Sequence, residues 1–218
     1  MPSSNIKKSL SSSRLGTYEN VVFNGAPLST PQALKLYAWN AQVSAAFFAP
    51  LHLCEIVIRN AIAEAIEHRY GDAWPWSQAF ERSLPNPSRG YSPRRDLISA
   101  RNGQGTTGKV IPELKFVFWE KLLTSRFDQR IWNSHLCSVF PFYDTNLSVS
   151  EMRNKLRTLL EKVRGLRNRI AHHEPIIMRD LNADFNNIDV LIKYRCSDTA
   201  NWTKNNQFVT PLMALKPF

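Results

Sequence analysis

From Ser148 to His173 the chain runs without a proline, and Met152, Leu156, Leu159, Val163, Leu166 and Ile170 recur every three or four positions. Residues at that period share one side of a helix that turns about 100° per residue. The run opens on SVSE, Ser148 to Glu151, with the serine and glutamate three apart that make a capping box. Pro175 limits it at the other end. A helix of this length buries its stripe only against other helices, so the rest of the chain has to supply them.

It does so in several places. STPQALKLYAWNAQVSAAFF predicts a helix capped by Ser29 or Thr30, with Pro31 in its first turn. Pro50 interrupts the pattern, and LHLCEIVIRNAIAEAIEHRYG resumes it with Leu51, Cys54, Ile58, Ile62 and Ala65 at helical spacing. That is two helices or one kinked helix. KVIPELKFVFWEKLLTS and RFDQRIWNSHLCSVF read as two shorter amphipathic helices whose aromatic residues pack in a core, and DLNADFNNIDVLIKYRC begins another helix after Pro175. With no repeat and no convincing strand run, the fold class is all-α.

Three segments lie outside this pattern. Residues 1–29, rich in Ser, Gly and Pro, read as an irregular N-terminal arm, and 205–218 as a C-terminal tail. Between them, 30–204 is a single helical domain interrupted at 74–108, where SRGYSPRR and ISARNGQGTTGK suggest a long basic loop carrying Arg94 and Arg95.

The 218 residues, 43% of them hydrophobic, can bury the core of one ordinary domain. Lys and Arg number 28 against 18 Asp and Glu, a net charge of +10, which favours a polyanionic partner and nucleic acid first. Cys54, Cys137 and Cys196 are far apart and lack metal-ligand spacing, which suggests neither disulfides nor a zinc site and fits a reducing, cytoplasmic setting. The N-terminus has no apolar signal core, and stretches such as SAAFFAP are too short to span a bilayer, so no membrane role is expected.

The chemistry-bearing stretch is KVRGLRNRIAHHEPI, 162–176. Arg153, Arg157 and Arg164 line up beside the apolar stripe as a candidate RNA-binding face, with Arg167 between the two. His172 lies five residues after Arg167, about 140° further round an ideal helix. One site can use both only if the helix bends or unwinds before Pro175, or if a second copy of the motif approaches from another subunit. The plainer account is electrostatic: cations in a last turn meet the negative end of the helix dipole. Glu55 likewise projects into the apolar face of its helix, and with Arg59 four residues on it forms either a partly buried ion pair holding helices in register or support for a site.

These residues resemble the Abi-like (abortive infection) proteins of bacteria, within the HEPN superfamily of all-helical ribonucleases. The resemblance runs in order through SSSRLGTY, ALKLYAWNAQVSAAF, LCEIVIRNAI, YGDAW, GKVIPELKFVFWEKL, IWNSHLCSVFP and LRNRIAHHEPI. Residues 81 to 101 match no block of the family. The resemblance implies a HEPN-like helical bundle and likens Arg167, Asn168 and His172 to the superfamily's catalytic Arg and His signature. His173 also satisfies the spacing from Arg167.

It further implies a homodimeric, metal-independent endoribonuclease of phage defence, needing no cofactor and restrained by an antitoxin protein or RNA. Such an enzyme cuts RNA by attack of the 2′-OH on the adjacent phosphate, which needs proton transfer and stabilisation of the phosphoryl charge. Histidine moves protons near neutral pH, and an arginine fork holds phosphate. Asn168 would orient either. The same residues are also consistent with a non-catalytic RNA-binding module, or with a helical protein whose basic surface meets another protein.

Overall fold

The computed structural model describes residues 2–218. It is 73% helical, with one small two-strand hairpin, so the all-α class holds. The N-terminal segment is not the irregular arm expected. It forms α1 (Pro2–Leu10), α2 (Ser12–Glu19) and a hairpin pairing β1 (Val22–Phe23) with β2 (Ala26–Pro27). The serines that suggested loop act as helix punctuation: the Ser11 side chain accepts the Arg14 N–H at 3.3 Å. Leu15 and Tyr18, three apart, then point inward and are buried.

α3 (Thr30–Tyr70) is one helix through Pro50. Pro50 has no N–H to give the Ala46 carbonyl, a local loss that the flanking apolar turns outweigh by packing. Leu36, Val43, Phe47, Leu51, Ile58 and Ile62 are all buried. Because it does not stop at the proline, α3 is also long and apolar enough to cross a membrane by length and composition, with an 18-residue window of mean hydropathy 1.5. This corrects the expectation that every apolar stretch is too short. In the fold, α3 is the central helix.

The expected loop at 74–108 is also largely helical. α4 (Gln78–Ser83) and α5 (Pro93–Arg101) are capped by Ser77 and Ser92, and α6 (Thr107–Glu113) begins within it. Each is too short for its apolar period to stand out among the prolines and glycines. α7 (Phe116–Leu122) follows, then a π-helical turn at Asp128–Trp132 leading into α8 (Asn133–Val139). Phe118, Trp119, Phe127, Trp132 and Phe140 are fully buried, as the packing reading of these aromatics requires.

α9 (Val149–Ala171) is the long helix, and its capping box is formed: Glu151 Oε2 accepts the Ser148 N–H at 2.9 Å while Ser148 Oγ accepts the Glu151 N–H. Of its stripe, Met152, Leu156, Val163, Leu166 and Ile170 are buried. Leu160 takes the buried place expected of Leu159, which is only half-buried, because 3.6 residues per turn carries the stripe round by that step. α10 (Leu181–Arg195), α11 (Ser197–Asn205) and α12 (Val209–Ala214) complete the chain. The segment read as a tail contributes α12, which packs on α3 and accepts Trp39 Nε1–H at the Leu212 carbonyl, 2.7 Å. α3 touches α1, α2, α7, α8, α9, α10, α12 and the π turn.

Candidate active site

α9 stays regular to its last turn. The His172 N–H still reaches the Asn168 carbonyl at 2.9 Å, and His172 is the C-cap. The chain then leaves by a Schellman turn: the His173 N–H bonds the Ile170 carbonyl at 3.0 Å and the Glu174 N–H bonds the Arg169 carbonyl at 2.8 Å. His173 occupies the left-handed position of that turn, φ 55°, where glycine is the usual residue. A non-glycine side chain there is strained, and three side-chain contacts hold the turn in place.

Arg14 of α2 donates Nη1–H to the His173 carbonyl at 2.8 Å. Asn40 of α3 accepts the Ile176 N–H at 2.9 Å, and Arg169 donates to the Pro175 carbonyl at 2.8 Å. The HHEPI turn is therefore fixed from α2, the central helix and its own helix at once. No unwinding ahead of Pro175 brings Arg167 and His172 together within one chain.

Arg167 instead faces α3. Glu55 Oε1 pairs with Arg59, and its Oε2 lies 3.8 Å from Arg167 Nε, so one carboxylate joins the two helices through two guanidinium groups. Glu55 thus forms the partly buried ion pair expected of it and has a second contact besides. It pairs with Arg59, and it reaches the motif arginine. Burial lowers the Arg59 pKa from its usual value, Glu55 partly offsets this, and the charge of Arg167 adds to the lowering.

A cavity of about 270 Å³ opens here, with Phe48, His52, Glu55, Arg59 and Arg167 among its walls. Beyond Phe48, Ile170 and Ala171 a second cavity, about 780 Å³, reaches His173 and Glu174. His172 is exposed and borders neither cavity, so its imidazole is available to something outside the chain. Asn168 is half-buried one turn before it.

The other arginines proposed for RNA are engaged elsewhere. Arg153 is buried and forks onto Asp128 at 2.9 and 3.0 Å. Arg164 pairs with Glu120, which is 1% exposed, and the Nε of half-buried Arg157 is enclosed without a partner. The three do align, but along a seam packed against α7 and the π turn. The expected open basic face is a partly enclosed seam with an ion pair at Arg153, another at Arg164, and Arg157 between them. Arg94 donates to the carbonyls of Glu81, Arg82 and Leu84, and Arg95 to those of Pro87 and Gly90, which ties down the end of α4 and the turn after it.

His52, Phe48 and Arg14 were missed by sequence reasoning. His52 stands three residues before Glu55, so its place beside Arg167 was legible once α3 was taken as continuous. Arg14 left no such signal, because its contact spans 159 residues. Among the described residues, no group of three or more His, Cys, Asp or Glu side chains gathers to hold a metal ion. No family model matches this chain, and no curated protein or solved structure matches it.

Proposed function

We propose that this chain is an endoribonuclease of the Abi-like, HEPN type, acting as a homodimer in which Arg167 of one subunit and His172 of the other serve one phosphate. The observation that carries this reading is the regularity of α9. It leaves Arg167, itself 45% exposed, at the wall of a cavity against α3, and His172 exposed off that cavity, on one helix end.

The outer strip of α3 supplies the surface for the second copy. Ala38, Ala45, Ala49, His52 and Ile56 share that side and are exposed, and only 33% of the most apolar window of α3 is buried. Small residues let helices approach closely, and an isologous contact there sets two α9 ends near one axis.

At the site, an imidazole takes the proton of the 2′-OH as that oxygen attacks phosphorus. The bond from phosphorus to the 5′-oxygen breaks, and a proton is delivered to the departing oxygen. Arg167 holds the phosphoryl oxygens, and Glu55 with Arg59 fixes its position. His52, in the same cavity as Arg167, is a second imidazole for the proton delivery. A role in phage defence, with a restraining antitoxin protein or RNA, rests on the resemblance alone.

The test is incubation of the purified protein with RNA in the presence of a chelator, beside His172→Ala. The expected product is a 2′,3′-cyclic phosphate or its hydrolysis product, absent from the variant. A 3′-hydroxyl end contradicts the mechanism, and salt-dependent RNA binding without cleavage makes the chain an RNA-binding module.

A further inference from the structure

The larger cavity has no part in that chemistry. It lies between α2, α3 and the end of α9, and its volume of about 780 Å³ is in the range of small-molecule sites. Its walls differ in kind. Tyr37 and Phe48 offer aromatic surface, and Phe48, 64% exposed, has one of the most open large apolar side chains of the bundle. Arg14, Asn40 and Ser44 offer polar groups. The Asn40 oxygen is already taken by the Ile176 N–H, so its NH₂ is what remains to give. Burial raises the Tyr18 pKa to about 12, with Tyr37 adding to the rise, and keeps that phenol a neutral hydrogen-bonding group.

Flat aromatic faces beside a few edge-directed donors and acceptors are what an unstacked nucleobase requires. The cavity also adjoins the reacting end of α9 through His173 and Ala171. Resting on the ribonuclease reading, we infer that this cavity is a base-recognition subsite. It takes the nucleobase next to the cleaved phosphate against the exposed ring of Phe48, reads its edge with Ser44 and Asn40 one and two turns earlier on α3, and so sets where RNA is cut.

α2 thereby becomes part of substrate selection. Arg14 closes one wall while its bond to the His173 carbonyl ties that wall to the motif turn.

The experiment titrates the four nucleoside 3′-monophosphates into the full-length protein and, separately, maps the bases flanking cuts in a random RNA. Ala41→Trp fills the cavity from an exposed helix position, so it removes space without removing core, and Ser44→Leu is the second variant should the first melt early. The expected result is that one nucleotide binds at least tenfold more tightly than the weakest. Both variants should lose that preference with an unchanged melting temperature, and their cuts should spread over all bases. Equal binding of the four nucleotides by the wild type overturns the subsite. So does a preference that either folded variant retains. If the wild type discriminates among nucleotides but cuts no RNA, the subsite stands and the ribonuclease reading falls. If it cuts RNA with no flanking preference, the reverse holds.

Discussion

The Glu55 carboxylate of α3 lies 3.8 Å from the Arg167 guanidinium of α9 while its other oxygen is bonded to Arg59. One acidic group thus stands between two cations at the place where the central helix meets the motif. Glu55→Gln leaves both arginines side by side with no neutralising charge, and the Arg59 Nε already lacks a partner. We expect a loss of about 1 to 2 kcal/mol in urea denaturation, since one member of a partly buried pair is removed. Cleavage should fall more than RNA affinity, because Arg167 is displaced and not lost. Wild-type stability in the variant would show that the pair is solvated and holds nothing.

The internal ion pairs of α9 make an opposite prediction from an RNA-binding face. Arg164→Ala strands the Glu120 carboxylate, 1% exposed, with only Lys121 at 3.4 Å to answer it. The expected cost is about 3 kcal/mol, and Glu120→Met with Arg164→Met should recover most of it. The salt dependence of RNA binding should stay as in the wild type. A slope lower by about one unit would mean that Arg164 contacts phosphate after all.

His173 sits in the left-handed position that glycine fills without strain. His173→Gly should therefore stabilise the protein, by about 0.5 to 1 kcal/mol in urea denaturation, even though it removes a side chain from the motif. Cleavage should persist at more than half the wild-type rate if His172 is the motif imidazole that takes the 2′-OH proton. A rate as low as that of His172→Ala would transfer the role to His173.

How much of this was legible in the sequence differs by element. α9 announced itself through its capping box and stripe, since both signals are local and both survive in the fold. The N-terminal segment did not, because α1 and α2 are short and serine-rich, and α2 is fixed by the packing of Leu15 and Tyr18 against distant residues. The arginine row was seen correctly as a row and misread as a surface. Which side of an amphipathic helix is solvated depends on its neighbours, and Asp128 and Glu120 come from elements whose approach no spacing encodes. The divergence of Arg167 and His172 was legible as an angle, and it survives because α9 stays regular up to its C-cap.

That divergence gives the most direct test of the shared site. Arg167→Ala and His172→Ala proteins, each expected to be inactive, are unfolded together and refolded so that subunits exchange, and RNA cleavage is measured once mixed dimers have been verified by mass spectrometry. Random exchange makes half of the dimers mixed, each with one of its two sites intact, so roughly a quarter of wild-type activity should return. Activity that stays at the level of the separate variants, in a sample containing mixed dimers, would contradict a site built from two chains.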